Sequence, residues 1–314
     1  MALQVFHDLK EIAPAESAVA LGAFDGLHLG HQRVLSSVTL AAGQLVPTVF
    51  TFDSSPSELC KGSGALRLCS NARKLQLLES FGIRQVYMPR FEAVRSCTAR
   101  DFVEKILHGV LRAKRVSCGF NFHFGQGGKA GGEELKALCE EFGIETVIVP
   151  ALSVDGEPVS STRIRQLLEQ GEVAKAAQLL GHFFTVDFVV MPGQKLGRKL
   201  GAPTINQPFP KDFLCPKFGV YASLVTVDGK KYAGVTNVGV RPTVGSDSVL
   251  AETLISGFSG DLYGQAVPVE LVCFLRPEVK FDGIDQLKAA ILHDAQVAEN
   301  MLQPYLQKNQ TVLL

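Results

Sequence analysis

Read only for where apolar and polar residues fall, the chain changes rhythm once. Through the first half, short apolar runs alternate with stretches whose apolar residues recur at helical spacing. Residues 17–21, 46–52, 85–88, 116–120 and 145–149 read as strands, and residues 32–42, 71–81, 99–111 and 133–142 as the helices between them. Strands without apolar–polar alternation, separated by helices, predict a parallel sheet covered on both faces. Ligands of such sheets bind at the carboxyl ends of the strands. Residues 163–169 and 173–180 predict two short helices split by Gly171. Beyond about His182 the helical spacing stops. Strand runs follow at 184–190, 219–227, 231–238, 250–255 and 266–274, with turns at Asp228-Gly229, Gly245 and Gly260-Asp261 between them. This second rhythm predicts an antiparallel barrel or sandwich. An amphipathic helix over 284–306 closes the chain, and the change near 181–185 suggests domains 1–182 and 183–314.

Composition narrows the class. At 314 residues two cores are expected. No apolar run is long enough to span a bilayer, and Met1 to Lys10, which contains Asp8, does not read as a secretion signal. Lys plus Arg equals Asp plus Glu at 31 each, so nothing draws the whole molecule to nucleic acid or to a membrane. Any polyanion it handles is small and held in local pockets. The 7 cysteines are scattered, odd in number and without a C-x-x-C pair, which argues against a disulfide framework and against structural zinc. Reduced thiols and a cytoplasmic location are the expectation.

Three segments of the first half converge. After the first predicted strand come Gly22, Phe24, Asp25, Gly26, His28, Gly30 and His31. The glycines allow a tight strand-to-helix turn, and two histidines three apart can face one ligand. A helix N-terminus there favours phosphate, and two imidazoles can donate hydrogen bonds to a phosphate as charge builds up. Gly30 is expected to leave room for a nucleotide against the backbone. After the fourth of these strands, Phe120, Asn121, Phe122 and Phe124 offer rings for stacking and an amide for a base edge. Ser160, Ser161, Thr162, Arg163 and Arg165 open a helix with hydroxyls and guanidinium forks suited to phosphate.

In the second half, Gly193, Lys195, Gly197 and Gly201 lead to Pro203, Thr204 and Asn206. No G-K-[ST] ends the run, so it is not a Walker loop; it reads as a basic flap over phosphates. Thr204 and Asn206, two apart in an extended segment, share a face and suit Mg²⁺ on ATP phosphates. Glu252 is the acid of the later strands able to take a proton from an attacking hydroxyl.

The G-x-F-D-G-x-H-x-G-H run, the G-x-N-F-x-F-G loop and the S-S-T-x-I-R helix start resemble the FMN adenylyltransferase module of bacterial bifunctional riboflavin kinase/FAD synthetases. The G-x-x-x-G-R-x-L-G-x-P-T-x-N run resembles their riboflavin kinase module, as do Gly219-Val-Tyr221-Ala, Asn237 to Thr243, Asp261 to Gly264 and Arg276-Pro-Glu278. The resemblance implies a Rossmann-like nucleotidyltransferase domain followed by a six-stranded Greek-key barrel. It implies ATP, riboflavin, FMN and FAD as small-molecule partners and Mg²⁺ with the ATP, and it leaves self-association open. By matching positions, His28, His31, Asn121 and residues 160–165 contact nucleotide, Thr204 and Asn206 hold Mg·ATP, Glu252 is the base and Arg276 lies near the flavin. The chain departs from the family pattern at Ser54-Ser55, Gly132, Ile205, Leu254 and Gly257. Two rivals follow from the same residues: a flavin- or nucleotide-binding regulator without one or both activities, and a transferase with another phosphorylated acceptor.

Overall fold

The computed structural model describes residues 2–11, 13, 15–40, 43–53, 65–193, 203–243 and 246–307. Lys195, Gly197 and Gly201 of the predicted flap, and Ser54 and Ser55, lie outside the described residues. The chain forms two compact units, residues 1–67 with 71–160, and residues 68–70 with 161–314.

The first unit is built on strands β1 (Gln4–Phe6), β2 (Ser17–Leu21), β3 (Val46–Phe50), β4 (Gln85–Tyr87), β5 (Ala113–Gly119) and β6 (Glu145–Val149). Its helices are α1 (Leu29–Thr39), α2 (Asn71–Ser80), α3 (Ala99–Asp101) and α4 (Gly132–Glu141). All strand pairs are parallel, in the order β1-β4-β3-β2-β5-β6. Every residue of β2 is buried, as expected of a strand with neighbours on both edges and cover on both faces. Strand order reverses beside β2, where β3 lies to one side and β5 to the other; in an open parallel sheet this is the point at which the loops splay apart and leave a crevice.

Two features of this unit were not expected. Edge strand β1 is short and half exposed, so it carries no apolar run. The predicted 99–111 helix is α-helical only over α3 and continues as a π-helix over Phe102–Val110, with the Leu111 N–H donating to the Ile106 carbonyl at 2.8 Å. The buried residues Phe102, Val103, Ile106 and Leu107 still face the core, because spacings of three and four keep one side of the widened helix apolar. A two-residue hairpin, β7 (Ser153–Val154) with β8 (Glu157–Pro158), follows β6.

The second unit begins with α5 (Ser161–Glu169) and α6 (Val173–Leu180). Then come β9 (Phe184–Val186), β10 (Thr204–Pro208), β11 (Gly219–Val227), β12 (Lys230–Thr243), β13 (Ser246–Ile255), β14 (Val269–Arg276) and helix α7 (Ile284–Leu306). The six strands are antiparallel in the order β10-β13-β12-β11-β14-β9. β11, β12 and β13 run as a meander, and β10 lies beside β13 rather than beside its sequence neighbour, the Greek-key arrangement. The chain after β9 joins the two ends of the sheet: the Met191 N–H donates to the Asn206 carbonyl at 2.8 Å, and the Gln207 amide reaches the Phe188 and Val267 carbonyls at 2.7 Å each. Inside, Ser223, Thr236 and Thr253 form a buried hydroxyl chain with steps of 2.8 and 2.9 Å, which satisfies polar groups that water cannot reach. On the outer face α7 buries Ala298 and Leu302 against Val220, Ala222, Leu224 and Val235.

Candidate active sites

In the first unit, the segment between β2 and α1 makes a tight turn. Gly22 donates its N–H to the Phe50 carbonyl at 3.3 Å, and Phe24, buried with φ 50°, starts a 3₁₀ turn over Asp25–Leu27. Gly26, at φ 76°, supplies the left-handed step that lets His28 leave the turn extended and become the N-cap of α1. The Nδ1 of His28 accepts the His31 N–H at 3.3 Å. A neutral His28 therefore carries its proton on Nε2, where it is a donor. The two imidazoles stack at 3.6 Å between centroids with 15° between planes, and the Phe24 ring meets His31 edge-on at 5.4 Å. The sequence places these histidines together and the structure does the same, by capping and stacking rather than by projection from one helical face.

Gly30 also keeps the start of α1 clear of the His28 ring. A Cβ there would come within 3.1 Å of His28 Cε1 and 3.2 Å of its Nδ1, and 3.9 Å from the Val159 carbonyl. The space is filled by the histidine itself. Burial, then His28 and then Lys74 hold His31 well below the ordinary histidine value of 6.5. His31 is thus a neutral ring at pH 7, and its Nδ1 is buried with no hydrogen-bond partner.

Lys74 is a residue that sequence reasoning missed. It lies in the first turn of α2 and is 6% exposed, with its ammonium on the Ala23 carbonyl at 3.1 Å and the Phe52 carbonyl at 3.2 Å. A lone lysine near a helix start reads as a solvent cation, so nothing in the pattern singles it out.

The loop after β5 starts at the same end of the sheet. Asn121 and Phe120 are exposed, the latter at 57%, and Phe122 is half-buried. Phe124 is instead a core side chain, buried against Phe102 at 5.5 Å and Phe122 at 5.8 Å. Of the three rings, Phe120 keeps the largest free face, while Phe124 has none left for a ligand. Gly132 packs α4 closely on β6, its missing Cβ lying 3.1 Å from Ile148 Cδ1. Ser160 ends the first unit directly after Val159, whereas Ser161, Thr162, Arg163 and Arg165 belong to the second unit.

In the second unit, β-ladder register builds the constellation. Asn206 on β10 lies directly opposite Glu252 on β13, and Glu252 directly opposite Asn237 on β12. Opposed residues share a face, so these three form a row across three strands. It lies on the outer face, the one that α7 covers further along at Val235, and faces away from the interior hydroxyl chain. Glu252 lines a shallow pocket with Asn237, Gly239, Val240, Leu250 and Glu278, and the Asn237 amide donates to Glu278 at 3.0 Å. Thr204 is half-buried, two residues from Asn206 on the same face, with Leu254 opposite it. Gly193 lets the Asn206 amide lie against the backbone: a Cβ there would fall 2.5 Å from Asn206 Nδ2, so that side chain would have to shift.

Arg276 is not free to reach out from β14. Its Nη2 meets Asp294 Oδ2 at 2.6 Å and its Nε reaches Oδ1 and Oδ2 at 3.2 and 3.1 Å, with Asp294 buried on α7. Arg276, expected near the flavin, ties β14 to α7 through this pair.

Residues 10–163 match the family model described as FAD synthetase, and residues 180–302 the one described as riboflavin kinase. The bifunctional riboflavin kinase/FMN adenylyltransferase of Listeria monocytogenes is 34% identical over 284 residues, 88% of this chain and 90% of that protein. Its namesake from Pseudomonas fluorescens is 33% identical over 308 residues, 96% and 99% of the two chains. The one from Escherichia coli K12 is 34% identical over 294 residues, 92% and 93%. A crystal structure titled macrolide-efflux protein, from Streptococcus pneumoniae, matches with a TM-score of 0.84 at 30% identity, over 96% of this chain and 99% of that one. That title belongs to that protein; among the described residues here, no helix is long and apolar enough to cross a membrane.

Proposed function

This chain belongs to the bifunctional riboflavin kinase/FMN adenylyltransferase family, and we propose that its two ATP-dependent steps are divided between two sites, one per compact unit. The enzyme phosphorylates riboflavin to FMN and then adenylylates FMN to FAD with release of pyrophosphate. The division expected from the sequence, 1–182 and 183–314, differs from that of the compact units, which assign residues 161–182 to the second. The observation that carries this reading is that each unit builds a separate polar constellation within itself, the stacked His28/His31 pair in one and the Asn206–Glu252–Asn237 row in the other.

In the kinase step, the riboflavin 5′-hydroxyl oxygen attacks the γ-phosphorus of ATP, Glu252 accepts the hydroxyl proton, and ADP leaves. Phosphoryl transfer needs chiefly positioning, which a fixed cross-strand row supplies, and charge neutralisation, which falls to the cation bound with ATP. The Thr204 hydroxyl and Asn206 amide oxygen, on one face beside a carboxylate, are hard oxygen donors that fit Mg²⁺. When bound there, Mg²⁺ neutralises phosphate charge. Gly193 is part of the same site, because it leaves Asn206 its place.

In the adenylyl-transfer step, an FMN phosphate oxygen attacks the α-phosphorus of a second ATP and pyrophosphate leaves. No activated side-chain nucleophile accompanies the histidines, so displacement is direct. His28, with its proton on Nε2, and the neutral His31 donate hydrogen bonds to the phosphate as negative charge develops. The turn at Gly22, Phe24, Asp25 and Gly30 shapes the approach, and Asn121 and Ser160 of the same unit bind the nucleotide. Phe120, the most exposed ring of its loop, stacks on the flavin. The reactions take place in the cytoplasm.

The test is a time course of riboflavin with ATP and Mg²⁺, the flavins separated by chromatography. FMN rising first and then converting to FAD is the expected result. Riboflavin left unchanged while added FMN is also left unchanged would overturn the reading.

A further inference from the structure

A lysine is almost never fully buried unless its charge is used. Lys74 is buried by more than nine-tenths, and its ammonium trades water for two backbone carbonyls, Ala23 at 3.1 Å and Phe52 at 3.2 Å. Ala23 follows β2 by two residues and precedes His28 by five; Phe52 follows β3 by two residues. One cation therefore cross-links the carboxyl ends of the two adjacent strands that frame the histidine pair. The Thr51 hydroxyl, on the same Ala23 carbonyl at 3.0 Å, completes the cross-link. A methionine would fill the same volume without the cost of desolvating a charge, so packing alone does not explain an ammonium in this place.

We propose that Lys74 is a positioning residue of the adenylyl-transfer site, holding the Ala23 and Phe52 strand ends in place and serving as the resident positive charge beside the histidine pair. This rests on the adenylyl-transfer reading above. His31 is faced by His28 from the helix cap and by Lys74 from α2, while the Phe24 edge is uncharged. Burial weighs most in keeping His31 unprotonated, followed by His28 and then Lys74. Lys74 acts on His31 as a positive neighbour. With the cation in place, His31 meets the nucleotide as a neutral donor on a fixed backbone.

The test uses the full chain and the variants Lys74→Met and Lys74→Arg, assayed for FAD formation from FMN and ATP across pH. Riboflavin phosphorylation in the same preparations reports on the other unit. Lys74→Met should lower kcat for FAD formation by about tenfold to a hundredfold, as expected of displaced catalytic groups. Its acid limb should move to higher pH, because removing a positive neighbour raises the value of an imidazole. Lys74→Arg should keep the parent's acid limb and recover part of kcat, and kinase activity should be unchanged in both variants. A Lys74→Met enzyme with the parent's kcat and acid limb would overturn the proposal, and so would loss of kinase activity alongside FAD formation. If the parent makes no FAD from FMN, the adenylyl-transfer reading fails instead. NMR titration of the histidine side chains then decides Lys74 by itself. The resonance that His31→Gln removes should titrate at higher pH in Lys74→Met, and an unmoved titration would refute the role.

Discussion

The Arg276–Asp294 pair offers a quantitative test, because it sets a structural role against an expected flavin contact. Asp294→Asn keeps the side chain's shape and removes its charge. Removing one partner of a buried pair costs about 3–5 kcal/mol. The Asp294 side chain is 8% exposed but that of Arg276 is 26%, so the guanidinium can recover part of its hydration. The expected loss is then nearer about 2–3 kcal/mol, the scale of hydrogen bonds to charged groups. For a domain of this size about 2–4 °C accompany each kcal/mol, so the transition of the kinase unit should fall by about 5–10 °C. Calorimetry of the full chain reads this, with FAD formation from FMN as the internal control for the other unit. The double variant Arg276→Met with Asp294→Leu should regain much of the loss, since apolar partners of similar volume often replace a buried ion pair without cost. An Asp294→Asn protein melting with the parent would refute the structural role. An Arg276→Met protein with unchanged melting and a raised KM for riboflavin would return Arg276 to the flavin.

Three further outcomes follow from the geometry. Gly193→Ala puts a Cβ 2.5 Å from Asn206 Nδ2, so riboflavin phosphorylation should fall by about a hundredfold while FAD formation from FMN is unaffected. Phe120→Ala should raise the KM for FMN by about three- to tenfold in steady-state assays, the worth of one aromatic stack. His31 has a folded-state value below 6.5, so the unfolded chain binds the extra proton as pH falls. Its contribution to stability is therefore complete above that pH and is lost on acidification through 6.5 toward the lowered value. Urea unfolding between about pH 7.5 and 5.5 should show that dependence, and His31→Gln should flatten it.

Much of the architecture could be read from the chain because burial pattern and element type coincide there. β2 is mostly apolar and its glycine turn ends at a helix cap, so strand, turn and histidine pair were visible together. Short strand runs separated by glycine turns in the second half predicted β11 to β14, and the 284–306 helix agrees with α7. The shortfalls have physical reasons. β1 is an edge strand too exposed to leave an apolar run, and π-helical bonding over Phe102–Val110 keeps the apolar spacing of an α-helix. Helical spacing predicted α5 and α6 but says nothing of which core they join. Aromatic alternation after β5 looks alike whether a ring stacks on a ligand or, like Phe124, packs into the core against Phe102. The partners of Lys74 and Arg276 lie far along the chain, Ala23 by 51 residues and Asp294 by 18, and spacing carries no sign of them. The Asn206–Glu252–Asn237 row is likewise set by strand register, so Asn237 shows its place beside Glu252 only once β12 and β13 are paired.

The most direct test of two independent sites is a mixing experiment with His28→Ala and Glu252→Gln, each given riboflavin, ATP and Mg²⁺. Alone, His28→Ala should stop at FMN and Glu252→Gln should leave riboflavin unchanged; mixed, the two should make FAD. FMN formation lost in His28→Ala, or a mixture that makes no FAD, would contradict the division of labour between the two units.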